Sequence, residues 1–457
     1  MSKQNTSSGL RRSLGIADVV LITVSGVTPA SSIFVIAPFA IHGAGTGAFL
    51  SFVLAAILAV TYALCYAELG AAHPNAGGEY VIVQRLFGRL ACLQMYLFVL
   101  CLLLFIPAVL ATGAATYLNS ALGTQFDSAS VALVVVVLCY AIGILDIKLN
   151  ALVTGLFLGV EVLVLALIAV LGFGQQHQSA ALLLHPVMAD SHGVLATVSV
   201  PVIAAMIGSA MFSYNGFGGA IYLAEDMHER HQGGKAMARA VLISLGIVVL
   251  VELLPMTALL LGAPSLTELA RQADPISYVV SSLSSPLLAR AVSGGIFLSV
   301  FNAIIAIVLQ SSRFLYASGR DGMWPARMNE ALLRIHPRFG TPWIATLLFA
   351  VPSALLTFNS NLADLTSFTV ILILLSYLGM GIAALVSRRR SDIHHPYTMS
   401  WWPLPVLLAI GGTLYTLWAI LQDAPLRDFL IVAAIIVVGL LFGRWQERAQ
   451  QPATSTR

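Results

Sequence analysis

Charged residues are scarce in this sequence: Asp, Glu, Lys and Arg together make up 9% of its 457 residues. Soluble domains carry about 25%, so this chain has too few charged side chains to cover a water-exposed surface. Apolar residues make up 58% of the chain, and its mean hydropathy is +0.90. These values exclude an ordinary soluble globular fold and predict an integral membrane protein.

Cysteine and histidine are too few and too scattered to indicate a redox or metal centre. The four cysteines all fall in apolar segments, so we expect no extracellular disulfide framework. The ten histidines lie in or beside predicted loops, and no two are one helical turn apart within an apolar segment. This pattern argues against haem or metal catalysis in the membrane. No nucleophile–base arrangement is apparent, so we predict a protein that is not an enzyme and needs no cofactor.

Long apolar segments fill most of the chain. A membrane-spanning helix needs about 20 apolar residues, and twelve such segments can be counted. When twelve helices are threaded from a cytoplasmic N-terminus, all but three of the 23 Lys and Arg residues fall inside, the exceptions being Arg271, Arg290 and Arg427. Cytoplasmic loops carry such an excess. We therefore expect an all-α, multi-pass protein of the cytoplasmic (inner) membrane with both termini in the cytoplasm.

This topology also accounts for the charge of the chain and for its first residues. The net charge of +3 follows from the basic cytoplasmic loops, so no nucleic-acid partner is needed to explain it. The first apolar run is long enough to span the membrane, and we predict no cleaved signal peptide. The expected partners are the lipid bilayer, a small-molecule substrate and a coupling ion.

Two of the apolar segments contain helix-breaking clusters at corresponding places. The first break comprises residues 25–32 (SGVTPASS), and the second break comprises residues 213–219 (SYNGFGG). Every backbone N–H and C=O in hydrocarbon needs a partner, so an interrupted helix is tolerated only where it lines a cavity or is buried in protein. Two interrupted segments at matching positions of two halves are typical of the substrate site of a secondary transporter.

The first ten predicted helices divide into two sets of five, and each set begins with an interrupted helix. Because five is odd, the second set enters the membrane from the opposite side, which predicts an inverted repeat. The predicted units are a cytoplasmic N-terminal tail (1–15), a first five-helix repeat (16–173), a second, inverted repeat (199–386), helices 11 and 12 (402–443) and a cytoplasmic C-terminal tail (444–457).

Three groups of motifs link the chain to a known family. They are residues 66–69 (YAEL), 74–80 (PNAGGEY) and 87–88 (FG); residues 212–217 (FSYNGF) and 224–226 (AED); and residues 313–317 (RFLYA), 319–325 (GRDGMWP) and 340–342 (GTP). With these motifs the chain resembles amino acid–polyamine–organocation (APC) superfamily permeases over nearly its whole length. The resemblance implies the leucine-transporter-type fold, alternating access, and an amino acid or related small amine as substrate.

The sequence departs from the family pattern in both breaks. Ala30, Ser31 and Ser32 stand where the family usually has Gly-x-Gly, and Pro29 shares the helix-breaking role. Gly218 stands where relatives with cationic substrates often carry an acid. This second departure argues against a polyamine or arginine as the substrate.

The first break is the predicted site of a substrate carboxylate. Proline cannot continue a helical ladder, and the helix that restarts there has free N–H groups and a partly positive end that suit an anion. We therefore predict that Thr28, Ala30, Ser31 and Ser32 bind substrate. The alternative is a kinked but closed helix in which the Ser and Thr hydroxyls bond to their own backbone.

The second break is the predicted site of a substrate ammonium group. Its glycines permit unwinding, which frees carbonyl groups, and the Asn215 amide can donate or accept. The resemblance implies that Phe212 closes over the substrate, although an apolar aromatic side chain can equally pack in the core or against lipid. The predicted substrate-binding residues of this segment are Phe212, Ser213, Tyr214, Asn215, Gly216 and Gly218.

Glu161 is the predicted proton-coupling residue. It lies near the middle of the fifth predicted helix, where a carboxylate costs on the order of 3 kcal/mol on insertion scales and marks a functional site. The resemblance implies that Glu161 occupies the position at which some proton-coupled relatives have a lysine. Glu161 could instead be a protonated bridge between helices, and Glu252 is a weaker candidate. The competing hypothesis is a sodium site built from carbonyls of the first helix and from Ser293, Ser299 and Asn302 of the eighth.

These features predict a secondary active transporter that takes up an amino acid or small amine by proton-coupled alternating access. A substrate–product exchanger of the same family and a non-transporting amino-acid sensor are the alternatives. We further expect Glu68 and the pair Arg320–Asp321 to build the cytoplasmic gate and loops. The run Arg388–Arg390 is interpreted as a topology and lipid-surface determinant.

Overall fold

The structure is a computed structural model that describes residues 15–73, 78–145, 147–189, 193–227, 234–359, 361–423 and 426–450. Most of these residues are helical, because a helix satisfies its backbone groups internally in an apolar environment. In chain order the α-helices are α1 (Ile16–Val27), α2 (Pro29–Ala44), α3 (Gly47–Ala72), α4 (Gly78–Phe87), α5 (Arg89–Leu122), α6 (Ser128–Ile144), α7 (Ile147–Gly174), α8 (Val200–Ser213), α9 (Gly234–Gly262), α10 (Leu266–Arg271), α11 (Pro275–Leu283), α12 (Pro286–Arg320), α13 (Ala326–Leu332), α14 (Trp343–Asn359), α15 (Leu362–Arg389), α16 (Leu404–Asp423) and α17 (Leu426–Gln450).

Nine helices in the described part of the chain are long and apolar enough to cross a membrane. They are Gly47–Ala72, Arg89–Leu122, Leu156–Gly174, Val200–Leu223, Lys235–Gly262, Pro286–Arg320, Leu362–Arg389, Leu404–Gln422 and Leu426–Arg444. Shorter apolar helices are Ile16–Val27, Ile33–Ala44, Ser128–Ile144 and Trp343–Phe358. The prediction of a mostly helical, multi-pass membrane protein is confirmed at this level of detail.

The loop between α7 and α8 is more ordered than an all-α prediction implies. It contains a 3-10 helix (Ala180–Leu183) and an antiparallel pair of strands, β1 (Val187–Ala189) and β2 (Leu195–Thr197). The Thr46 N–H donates to the Val187 carbonyl at 3.0 Å, and the Val187 N–H donates to Thr46 Oγ1 at 2.8 Å. These two bonds fix β1 to the residue that precedes α3, which explains why a polar loop forms strands here.

The first break is a discontinuity at a single residue. α1 ends at Val27, Thr28 adopts a left-handed conformation with φ 51° and ψ 58°, and α2 begins at Pro29. The proline ring disfavours the α conformation of the preceding residue, so Thr28 cannot continue α1. The Thr28 N–H still bonds to the Val24 carbonyl at 3.3 Å, so α1 keeps its last hydrogen bond before the chain changes direction.

The second break is longer and changes the type of helix. α8 ends at Ser213, residues 214–216 form a turn, and a 3-10 helix follows from Phe217 to Asp226. Gly216 ends the turn at φ +113°, a region that L side chains rarely adopt. A Cβ on Gly216 would lie 3.1 Å from Val27 Cγ2. The two breaks are therefore in direct contact.

A buried ion pair joins α3 to α15 on the side of the breaks that the sequence predicts to be cytoplasmic. Glu68 is 1% exposed, and Arg388 Nη1 donates to its two carboxylate oxygens at 3.0 and 2.8 Å. The Met399 N–H donates to Glu68 Oε2 at 2.8 Å. The interpretation of Arg388 as a topology and surface determinant therefore needs correction, because its guanidinium group neutralises a buried carboxylate.

Candidate functional site

A cavity of about 110 Å³ lies where the two breaks meet. Residues of both breaks line it, together with Phe212 at the end of α8: Gly26, Val27, Thr28, Asn215, Gly216, Gly218 and Gly219. α5 contributes an apolar wall: Val99, Leu102, Leu103, Ile106 and Leu110. The remaining polar lining residues come from other elements: Tyr66, Glu79, Tyr222, Gln310, Ser376 and Tyr377. A small molecule in this cavity would meet polar groups at the breaks and an apolar wall opposite.

The first break contributes Thr28 and the first turn of α2. Thr28 lines the cavity, and its hydroxyl donates to the Val27 carbonyl at 2.7 Å. The first N–H groups of an α-helix have no acceptor within the helix, and in α2 these are the groups of Ala30 and Ser31. The backbone of Ala30, Ser31 and Ser32 belongs to α2, while their side chains lie outside the described part of the chain.

At the second break, Asn215, Gly216 and Gly218 line the cavity together with Phe212 of α8. The hydroxyl of Tyr377 in α15 donates to Asn215 Oδ1 at 3.0 Å. This bond uses one of the two lone pairs of the Asn215 amide oxygen, and the NH₂ group of the same amide is a donor. The ring of Phe212 is 4% exposed and forms part of the cavity wall.

Ser213 and Tyr214 lie away from the cavity lining. Both side chains are fully buried, and the Tyr214 hydroxyl donates to the Phe52 carbonyl of α3 at 3.2 Å. The Tyr214 ring also meets the Phe52 ring edge-on, with centroids 5.8 Å apart. Successive residues at a helix end point in different directions, so the second break divides between a cavity face and a packing face.

Glu161 is buried on α7 at 2% exposure and is not among the residues that line the cavity. Its neighbours Val160 and Val164 pack against α12, where a Cβ on Gly295 would lie 2.6 Å from Val164 Cγ2. Glu252 on α9 is also fully buried and outside the cavity lining. The proton-coupling role of Glu161 stays a prediction.

Glu79 is the functional candidate that sequence reasoning missed. It lies on α4, outside the candidate membrane spans, and its carboxyl borders the cavity. The Tyr66 hydroxyl donates to Glu79 Oε1 at 3.2 Å, and the Tyr222 hydroxyl donates to Oε2. Burial raises the pKa of Glu79 to about 7. The residue belongs to the 74–80 motif, but its role depends on contacts between distant segments.

An aromatic cluster surrounds Tyr66 at the same end of the cavity. Its ring meets Phe217 and Tyr377 edge-on, with centroid distances of 5.6 and 6.0 Å. Tyr377 also stacks on Phe217 at 5.8 Å. These rings join α3, α15 and the 3-10 helix after the second break. Movement of that 3-10 helix would therefore disturb both the cluster and the cavity.

Comparison with known proteins identifies the kind of molecule that has this site. A family model described as amino acid permease matches residues 14–441. The Large neutral amino acids transporter small subunit 2 of Homo sapiens is 26% identical over 430 residues, covering 88% of this chain and 78% of that protein. The Serine/threonine exchanger SteT of Bacillus subtilis (strain 168) is 25% identical over 449 residues, covering 95% of both chains.

A third relative widens the range of substrates. The Methylthioribose transporter of Bacillus subtilis (strain 168) is 22% identical over 471 residues, covering 97% of this chain and 96% of that protein. Similarity at this level therefore does not determine a substrate, although all three names describe transporters and none an enzyme. Since the family match extends over most of the 457 residues, the chain belongs to the amino acid permease family of the APC superfamily.

Proposed function

We propose that this permease is a secondary active transporter that moves an amino acid or related small amine across the cytoplasmic membrane by alternating access. The observation that carries the proposal is the contact of two interrupted helices at a cavity with polar and apolar walls. Interrupted helices at membrane depth are tolerated where they line such a cavity. Family membership supports an amino acid as the first class of substrate to test.

The proposed architecture is the twelve-helix, leucine-transporter-type fold with two inverted repeats at 16–173 and 199–386 and cytoplasmic termini. It counts α1 and α2 as one interrupted helix and adds α6 and α14 to the nine long candidate spans. The two breaks then occur at the first helix of each repeat. In such folds, rocking of one helical bundle against the rest opens the central site to alternate sides.

The proposed substrate orientation uses the opposite polarity of the two breaks. The carboxylate lies at the N–H groups of Ala30 and Ser31, beside Thr28 and Ser32, because the start of α2 is partly positive. The ammonium group lies at the carbonyl groups that end α8. The amide of Asn215, held by Tyr377, contacts the polar end of the substrate.

The lining of the cavity favours a neutral substrate side chain. α5 supplies five apolar residues to the wall, and no Lys, Arg or His is found among the described residues that line the cavity. Gly218 stands where relatives of cationic substrates often have an acid. We therefore propose a neutral amino acid, with Phe212 closing over it.

Proton-coupled symport is the proposed energy source, and Glu161 is the proton-coupling candidate that the sequence predicts. Obligatory exchange is the second candidate, because one similar protein is named a serine/threonine exchanger. The two mechanisms differ in whether net uptake occurs into vesicles that contain no substrate.

A transport assay in proteoliposomes tests the function and separates these mechanisms. Purified protein is reconstituted, and uptake of labelled neutral amino acids and small amines is measured with an inward proton gradient, a sodium gradient or no gradient. Empty vesicles are compared with vesicles preloaded with unlabelled substrate. Proton-driven accumulation in empty vesicles is expected. Uptake only into preloaded vesicles would establish the exchanger, and no uptake of any compound would reject the transport proposal.

A further inference from the structure

Glu79 is the only carboxyl-bearing residue among the described residues that line the cavity, and substrate binding as proposed above does not use it. Neither an ammonium nor a guanidinium group from the described lining residues neutralises it there. A carboxyl surrounded by protein is costly in its ionised form unless hydrogen bonds or opposite charges compensate. Its partners therefore decide whether it carries a proton.

The partners of Glu79 come from two separate elements. Tyr66 lies on α3 and donates to Oε1, whereas Tyr222 lies on the 3-10 helix after the second break and donates to Oε2. Gly78 precedes Glu79, and a Cβ there would overlap the Tyr222 ring. The Tyr222 ring therefore packs directly on the start of α4. One carboxylate thus connects α3 to the segment that must move if the second break rearranges.

Several other ionisable groups near α4 have partners of their own. Glu68 of α3 pairs with Arg388 of α15, and Asp321 after α12 accepts from the Tyr80 hydroxyl at 3.1 Å. The remaining groups are Arg85 of α4, Arg89 and Tyr96 of α5, Tyr377 of α15, and Glu225 and Asp226, whose side chains lie outside the described part. Tyr66 and Tyr222 supply side-chain hydrogen bonds to the Glu79 carboxyl, and a backbone N–H supplies a further one.

Protonation changes what this carboxyl can bind. The ionised form accepts from both phenols, whereas the protonated form becomes a donor at one oxygen. One phenol must then lose its acceptor or rotate. Burial raises the pKa of Glu79 to about 7, against the opposing effect of hydrogen bonds from the backbone and from Tyr66. The change in protonation therefore falls near neutral pH.

We propose that Glu79 is the proton-binding residue of the transport site, and that its protonation releases Tyr66 or Tyr222 and so loosens the contact between α3 and the segment after the second break. The inference rests on the proposed transport function. A proton from the water that fills the outward-open cavity forms an O–H bond on the carboxylate. After the cavity opens to the cytoplasm, that proton returns to water and the two phenol hydrogen bonds re-form.

The decisive measurement separates proton coupling from substrate movement. Four full-length proteins are reconstituted: wild type, Glu79→Gln, Glu161→Gln and the exposed control Glu330→Gln. A proton gradient of about one pH unit can drive about a tenfold ratio of substrate concentrations across the membrane. We compare the accumulation that it drives with counterflow of labelled substrate measured without a gradient. We expect Glu79→Gln to lose gradient-driven accumulation and keep counterflow within about twofold, while Glu330→Gln behaves as wild type.

Two results of this assay would reject the proposal. The first is wild-type accumulation by Glu79→Gln. The second is loss of coupling in Glu161→Gln alone, which would assign the proton to α7 instead.

The pH profile tests the hydrogen bonds themselves. A donor to the ionised carboxylate lowers its pKa, so Tyr222→Phe should raise the pKa of Glu79. We expect the midpoint of the counterflow pH profile to move upward by about one pH unit, with Tyr415→Phe as the exposed control. A purely structural role of Tyr222 would lower the rate at every pH and leave the midpoint in place, which would contradict the proposal.

Infrared difference spectra provide a test that does not require transport. The carboxyl band that is present in wild type and absent in Glu79→Gln should titrate near pH 7, and its midpoint should rise in Tyr222→Phe. If no amino acid or amine is transported, the proposed function fails, but this titration still decides the state of Glu79. If Glu79→Gln does not fold, the comparison of wild type with Tyr222→Phe remains. A group that stays ionised throughout would overturn the inference.

Discussion

The two breaks reach the same cavity in different ways. At the first break, one residue, Thr28, leaves the helical conformation, and α2 resumes immediately at Pro29. At the second break, three residues form a turn, and the chain continues as a 3-10 helix from Phe217 to Asp226. A single-residue break presents mainly the N–H groups of a new helix, whereas a three-residue turn interrupts the regular i to i−4 bonding of the carbonyls before it.

This difference gives the two breaks different mechanical roles. The first break retains its last hydrogen bond and continues as an α-helix, so it is suited to act as a fixed anchor for a carboxylate. The second break is followed by a 3-10 helix, whose hydrogen-bond geometry is poorer than that of an α-helix. This 3-10 helix also carries Tyr222, whose hydroxyl donates to Glu79. We infer that the second break moves more than the first during transport, and the following substitutions test this asymmetry.

The largest effect is expected for Gly218→Leu. The reason differs from the flexibility that the sequence indicates, because Gly218 does not have a positive φ. Its Cβ would instead lie 2.5 Å from Tyr66 Cε1, and overpacking of this kind costs about 1–3 kcal/mol. Displacing Tyr66 would also disturb Glu79. We expect abolished uptake with retained expression, measured in vesicles.

A matched substitution controls for this prediction. Gly246 lies on α9 with open space around its Cβ position, and it is exposed. Gly246→Leu should therefore transport as wild type. Unchanged uptake by Gly218→Leu would show that the segment after the second break tolerates a bulky side chain beside Tyr66, and the assignment of the site would fail.

Gly216→Ala should produce the next largest effect. An L residue at φ +113° is strained by about 1–3 kcal/mol, and the new methyl group would contact Val27 of the first break. We expect a lower unfolding temperature in detergent and slower uptake. Gly219→Ala is the control, since nothing lies within 4 Å of its Cβ position. Equal stability of the two variants would contradict the conformational requirement at Gly216.

Tyr377→Phe should have an intermediate effect on substrate affinity. It removes the hydrogen bond to Asn215 Oδ1 and keeps the ring that stacks on Phe217. One neutral hydrogen bond contributes about 0.5–1.5 kcal/mol, so KM for uptake should rise about two- to tenfold. An unchanged KM with a lower maximal rate would indicate that Asn215 does not contact the substrate.

The parts of the site that sequence reasoning predicted correctly are local in the chain. Pro29 and the glycines of the second break indicate helix interruption through their own backbone chemistry, and both interruptions occur where the sequence predicts them. The sequence does not predict the division of the second break into two faces, because its helix-breaking residues mark the whole segment alike. Tyr214 instead packs on Phe52, since consecutive residues at a helix end point in different directions.

The missed features depend on contacts between distant residues. The bond from Tyr222 to Glu79 joins residues 143 positions apart, and the bond from Arg388 to Glu68 joins residues 320 positions apart. Hydrophobic periodicity contains no information about such pairs. An arginine at a helix end is typical of the cytoplasmic membrane surface, so Arg388 could not be assigned to a buried carboxylate before the packing of α3 against α15 was known.

The smallest effect is expected at the first break, for Thr28→Gly. Glycine adopts a left-handed conformation at no steric cost, while it loses more conformational entropy on folding. These opposing terms are each on the order of 1 kcal/mol, and the Thr28 hydroxyl donates to the adjacent Val27 carbonyl. The unfolding temperature should therefore change little, unlike that of Gly216→Ala. If Thr28→Gly destabilised the protein as strongly, the first break would depend on its side chain, and the distinction between a fixed anchor and a mobile segment would not hold.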